Sequence, residues 1–173
     1  MKRLIVFATL CFACREVHGE KPAASVQPVL SWIGRDCKEK TRSLHRCVSQ
    51  KEFEDLWAKL GHPDSYPWTV NFETYMVVGF FLGETRSGIH QSVNSVVDAP
   101  DAIRIRCLVF PAGLPPLTAN TPPTIETPAQ HFLLVVLPRS NKSIKVEKDT
   151  SERKSGPYEW GEELATLPAV GNK

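Results

Sequence analysis

The stretch GETRSGIH, Gly83 to His90, holds two glycines separated by four residues, which is the first half of a phosphate-binding loop. The full motif continues with a lysine and a hydroxyl residue and opens a helix whose amides hold phosphate. Here Ile89 and His90 follow Gly88, so the ammonium and the metal-binding hydroxyl are both missing. The same stretch fails as a nucleophile elbow, because Thr85 stands where that turn needs its first glycine. A thiol–imidazole pair would have to join Cys107 to His90 or His131, and it needs an accessible thiolate. Cys107 instead shares an alternating face with Ile103, Ile105 and Val109, opposite Arg104 and Arg106, which predicts a buried, inert thiol. Cys37, His45 and Cys47 could ligate a metal, but no fourth ligand follows at usable spacing. Glu52, Glu54 and Asp55 read as the solvent face of a helix. Asp98 and Asp101 flank Pro100 as turn residues do. No cofactor signature emerges. Two function classes stay open: a binding module, or a small secreted hydrolase or thiol enzyme with an unrecognised site.

The elements that would position these residues are easier to read. SQKEFEDLWAKLG has Ser49 and Glu52 at capping-box spacing. Phe53, Leu56, Trp57 and Leu60 follow on one helical face, and Gly61 supplies the stop. This is an amphipathic helix whose stripe packs on a sheet. YMVVGFFL is apolar on both faces and belongs in the centre of a sheet covered on both sides. Ile89, Val93 and Val97 share one face of the next strand, so Gly83 and Gly88 should supply the positive φ angles of a β-hairpin loop. Further strands run from Ile103 to Phe110 and through HFLLVVLP, with SIKVEK as a short edge strand. VLSWIG and LHRCV are shorter strand candidates. The expected fold class is α+β: a β-rich, mainly antiparallel sheet with one amphipathic helix packed on it. Between Phe110 and Gln130 the chain carries six prolines, from Pro111 to Pro128, which no regular ladder strand accommodates. Tyr158 and Trp160 are candidate anchors for the C-terminal stretch, with disorder expected beyond Leu167.

The first residues set the compartment. Lys2 and Arg3 precede a ten-residue apolar run from Leu4 to Ala13, too short to span a bilayer but suited to a secretory signal. Cleavage between Gly19 and Glu20 is expected, and lipidation at Cys14 is the alternative. Cleavage would lower Lys plus Arg from 21 to 18 and Asp plus Glu from 19 to 18, leaving a net charge of zero. A neutral mature chain argues against a nucleic-acid or anionic-membrane partner, both of which need a clustered positive field. No membrane span remains after cleavage, and the oligomeric state stays open. In a secreted or periplasmic setting Cys37 and Cys47, the one sequence-local pair, are candidates for a disulfide. Asn141-Lys142-Ser143 is a glycosylation sequon.

From Ser49 to Val146 the chain resembles the PrcB C-terminal domain family, named from a subunit of a secreted bacterial protease complex. The resemblance rests on the helix bearing Phe53, Leu56 and Trp57 and on Phe72, Met76, Val77, Val78, Phe81, Leu82 and Gly83 in VNFETYMVVGFFLG. A strand, a variable loop and QHFLLVVLPRSNKSIKV complete it. The chain departs from the family at its Gly-Gly-aromatic turn, where Ser87, Gly88 and Ile89 stand. The resemblance implies a small exported, non-catalytic β-rich domain associated with a protease. The division expected is a signal peptide at 1–19, a polar leader at 20–40, a PrcB-like domain at 41–150 and a C-terminal tail at 151–173. The candidate interaction surface joins Arg86, Ser87 and Gly88 to Leu114, Pro115 and Pro116 in the proline-rich loop.

Overall fold

A strand that is apolar on both faces has to be covered twice, and the architecture follows from that need. The computed structural model describes residues 24–28, 30–35, 37–61, 69–85, 89–111, 128–150 and 158–171. In chain order the elements are β1 (Ala24–Val26), β2 (Leu30–Gly34), β3 (Ser43–Cys47), α1 (Gln50–Lys59), β4 (Tyr75–Thr85), β5 (Ile89–Asp98), β6 (Ala102–Pro111), β7 (Ala129–Pro138), β8 (Ser143–Asp149) and β9 (Trp160–Leu167). They form two sheets, one ordered β1-β5-β6-β8-β9 and the other β2-β7-β4-β3. Every pairing is antiparallel except β6 with β8. The fold is α+β and β-rich, with one helix packed on a sheet.

The doubly apolar strand is β4, at the interior of the four-stranded sheet. Its Met76, Val78, Phe80 and Leu82 face the five-stranded sheet, meeting Ile103, Ile105 and Cys107 of β6 and Ile144 and Val146 of β8. Its Val77 and Phe81 face the other way and, with Phe132, Leu134 and Val136 of β7, cover Phe53, Leu56 and Trp57 of α1. The layers are therefore five-stranded sheet, four-stranded sheet, helix. The α1 N-terminus is held as its spacing predicts: Ser49 Oγ accepts from the Glu52 amide at 3.3 Å. The Glu52 carboxylate returns to the Val48 amide at 2.6 Å, one residue before the cap. Gly61 follows the helix at φ 80°, the left-handed stop expected of it.

Several expectations are corrected. β4 and β5 do not form a hairpin: β4 gives both of its edges to β3 and β7, so β5 pairs with β1 and β6 in the other sheet. Gly83 does take a positive φ of 85°, but at a bulge within β4 rather than in a turn. Gly88 lies outside the described residues. SIKVEK is not an edge strand, since β8 sits between β6 and β9. Its charges are neutralised by neighbours, the buried Glu147 by Arg104 at 2.5 Å and Lys145 by Glu163 at 3.2 Å. The stretch expected as a polar leader holds β1 and β2, and the expected tail holds β9, with Leu164 in the core. The expected signal peptide and its Gly19–Glu20 cleavage point, and Cys14, lie outside the described residues.

Candidate functional site

Two places on this scaffold gather polar side chains. The first is the end of the sandwich where β4 stops and β5 starts. Thr85 and Ala129 are register partners across β4 and β7, and the Thr85 hydroxyl donates to the Ala129 carbonyl at 3.2 Å. In the other sheet Ile89 and Pro111 are register partners across β5 and β6. The strand ends that lead into residues 86–88 and 112–127 are thus cross-linked within each sheet. The expected interaction residues Arg86, Ser87, Gly88, Leu114, Pro115 and Pro116 all fall in those two stretches, outside the described residues. Two residues in from these strand ends lie Gln91 on β5 and His131 on β7, each 7% exposed. Among the described residues neither end of the Gln91 amide has a hydrogen-bond partner, an arrangement that typically costs about 1–3 kcal/mol.

Gln91 was missed among the candidates, although its signal lies in IHQSVNSVV. It occupies the same period-2 face as Ile89 and Val93, an amide in an apolar row. That row also ends earlier than its spacing implies. A register shift between Val93 and Ser95 turns Val96, rather than Val97, into the core, where it is 1% exposed.

The second place is a cleft of about 280 Å³ between β3 and α1, lined by His45, Arg46, Cys47, Glu52, Asp55, Leu56 and Lys59. His45 Nε2 lies 3.0 Å from Ser43 Oγ and 3.3 Å from Lys59 Nζ. An ammonium can only donate, so Nε2 accepts and the ring proton sits on Nδ1. Burial, with the Lys59 charge added, holds the imidazole below its ordinary pKa, against a smaller opposing pull from Glu39. Lys59 is also paired with Glu39 at 3.4 Å, and Glu39 accepts from the Thr41 hydroxyl at 2.7 Å. A neutral imidazole beside a serine hydroxyl has the makings of a general base and nucleophile. Lys59, however, occupies the same lone pair that would take the serine proton. The chain Thr41–Glu39–Lys59–His45–Ser43 works as a latch tying the last turn of α1 to β3.

Cys47 and Cys107 offer no thiolate near neutral pH. The bridge expected between Cys37 and Cys47 is not formed, and both side chains are buried, as is Cys107. Cys47 Sγ points at the Glu52 carbonyl at 3.4 Å, and Cys37 Sγ at the Glu39 carbonyl at 3.6 Å. Packing thus gives each thiol an acceptor within its own stretch of chain. Burial pushes Cys107 up to about 12. Burial, reinforced by Glu52 and Asp55, pushes Cys47 up to about 12 as well. Asp98, read from the sequence as a turn residue, is ion-paired with Lys142 at 2.5 Å. Among the described residues no group of three or more His, Cys, Asp or Glu is placed to hold a metal ion. Among the same residues no helix is long and apolar enough to cross a membrane.

Comparison with known proteins returned no matching family model, no matching curated protein and no matching solved structure.

Proposed function

We propose that this chain is an exported, non-catalytic protein-interaction domain, and that its partner is an exported protein, a protease being the first candidate. The observation that supports this best is the common footing of the two candidate binding stretches. Thr85 pairs with Ala129 and Ile89 with Pro111, so 86–88 and 112–127 leave the body from neighbouring, hydrogen-bonded strand ends. Arg86 is suited to anchor a contact, since arginine is enriched at the energetic centres of interfaces. Leu114, Pro115 and Pro116 would add apolar surface. The prolines narrow the conformations of the free loop, which lowers the cost of ordering it against a partner. The PrcB resemblance stated above favours a protease as that partner.

The test uses immobilised full-length protein beside a variant in which 112–127 is replaced by a short Gly/Ser linker. Wild type should retain an exported protease, and the variant should lose it while keeping its melting midpoint. Undiminished capture by the variant would move the binding surface elsewhere. Ester or peptide turnover that disappears in Cys107→Ala would replace this reading with that of a thiol enzyme.

A further inference from the structure

The cleft between β3 and α1 is bridged by a lysine held on two partners. Lys59 reaches from the last turn of α1 to His45 Nε2 at 3.3 Å and to Glu39 at 3.4 Å. Ser43, on β3 itself, meets the same imidazole nitrogen at 3.0 Å. Glu52 and Asp55 of α1, with Arg46 and Cys47 of β3, line the cleft beside the ring. The Glu52 carboxylate is committed to the Val48 amide, and the Arg46 guanidinium to the Lys142 carbonyl. From β4 the ring meets Phe81, uncharged and edge-on at 5.6 Å. Asp55 stands one turn before Lys59 on α1, at the i, i+4 spacing and in the acid-first order that favour a helical ion pair. Among the described residues it nevertheless makes no hydrogen bond or ion pair. The lysine that would pair with it is held on the far wall.

We propose that this cleft is an acid-triggered switch, in which a proton on His45 Nε2 passes the Lys59 ammonium from the β3 wall to Asp55 on its own helix. The proton comes from solvent and fills the lone pair that Lys59 uses. Lys59 can only donate and must leave, whereas the Ser43 hydroxyl can also accept and keeps its bond to the new N–H. The ring is fixed in β3 and the lysine rides on a flexible four-carbon stem, so the lysine moves. Glu39 then turns the oxygen that Lys59 vacates toward the imidazolium, and Lys59 closes the waiting pair with Asp55. Burial and the Lys59 charge place this exchange below an ordinary histidine pKa of about 6.5. The helix keeps its seat, because the Lys38 amide still donates to the Lys59 carbonyl at 2.8 Å and Leu60 stays buried. What widens is the cleft of about 280 Å³, which loses its crossbar and gives access to Leu56 and the Cys47 thiol in its lining. The switch uses no residue of 86–88 or 112–127, so it stands or falls separately from the loop-end reading.

The test is a titration of isotope-labelled full-length protein from pH 7.5 to pH 5, read by nuclear magnetic resonance. The His45 ring nitrogens report the proton. The Lys59 ε-methylene and the Asp55 carboxyl carbon should shift with the same midpoint, and the Asp55 response should be largely lost in Lys59→Met. In parallel, 2,2′-dithiodipyridine, which reacts with thiols in acid as well as at neutrality, probes Cys47. Its rate at Cys47, divided by that of denatured protein at each pH, should rise at least about fivefold from pH 7.5 to pH 5.5. His45→Gln, which accepts from Lys59 but takes no proton, should abolish that rise. Lys59→Met removes the crossbar at every pH, so Cys47 should be equally open at both pH values and the His45 midpoint should move up toward its ordinary value. An Asp55 carboxyl signal that stays still through the His45 transition would overturn the proposal. So would a Cys47 rate that does not rise, or a rise of equal size in His45→Gln, which would mark general loosening in acid. If His45→Gln does not fold, Lys59→Met decides in its place, and an acid rise retained there overturns the switch.

Discussion

Cys47 and His45 lie two residues apart on β3, and one environment of burial and nearby charge makes both electrically quiet. With Cys47 and Cys107 each pushed up to about 12, about one thiol in ten thousand is ionised at pH 8. Folded protein that has never met a reductant should therefore resist iodoacetamide at Cys47 and Cys107, and at Cys37 because that side chain is buried. All three should label once denaturant is added, still without reduction. Mass spectrometry reads the result, and a mass pair linking Cys37 to Cys47 would restore the bridge. His45 makes a prediction of opposite character, because its pKa is depressed on folding. The unfolded chain then binds more protons near neutrality, so stability is fully present above an ordinary histidine pKa of about 6.5. It is lost as pH falls below that value toward the folded-state pKa. Protonation would set an imidazolium against Lys59, 3.3 Å away. Chemical denaturation between pH 7.5 and pH 5.5 should show this decline, and His45→Gln should flatten it. Glu39, whose carboxyl is held down chiefly by the Thr41 hydroxyl, works in a separate window at lower pH. An unchanged slope in His45→Gln would remove the latch from the account.

The helix docks where the sheet leaves room for it. A Cβ added at Gly79 would lie 2.7 Å from Leu56 Cδ2 and 3.2 Å from Leu134 Cδ2. Leu56 and Leu134 are both buried, so neither has space to retreat. Gly79→Ala should cost about 1–3 kcal/mol by overpacking, read as a lower urea midpoint with the slope unchanged. A midpoint equal to wild type would mean that α1 moves outward freely. The helix itself was legible in the sequence because all its signals are local: Ser49, the spacing of Phe53, Leu56 and Trp57, and Gly61. β4 and β7 were legible too, through unbroken apolar runs. Sheet membership was not. A hairpin between β4 and β5 satisfies every local rule, and only competition for the edges of β4 by β3 and β7 excludes it. β9 was hidden because two register shifts against β8 scramble its period-2 pattern. β8 passed for an edge because its Glu147 and Lys145 are satisfied by Arg104 and Glu163, partners that no local window reveals. At the loop end the sequence marked the two candidate interaction stretches, while Gln91 was obscured by the apolar residues on either side of it on its face.

At the scale of the molecule the chain closes its sandwich with its two ends. On one side β1 joins the five-stranded sheet and β2, a few residues later, the four-stranded one, so the backbone itself crosses between layers. At the C-terminal end β9 completes the five-stranded sheet and buries Leu164, with Ala165 and Leu167 packed beside it. Its Trp160 lies beneath the Arg106 guanidinium, 5.4 Å from ring centroid to Cζ. The folding unit is thus wider than the 41–150 interval suggested by the resemblance and the polar leader. A fragment limited to 41–150 would lose the Trp32 contacts with Trp57 and Phe132 and would uncover the β9 side of Ile144 and Val146. Each large apolar side chain so removed or exposed is worth about 1.5–3 kcal/mol. Three or four of them together rival the roughly 5–15 kcal/mol that holds a typical domain. The fragment should therefore lack a cooperative thermal transition and bind a hydrophobic dye, whereas residues 24–171 should melt in one step close to the full chain. If 41–150 melts cooperatively at the full chain's midpoint, β2 and β9 are decoration on a self-sufficient core. The two partial fragments decide which end matters more. Residues 24–150 retain the Trp32 cluster but expose one edge of β8, and residues 41–171 do the reverse. Trp32 touches both the helix layer and β7, while β9 guards one edge of one sheet, so 41–171 should be the less stable of the two.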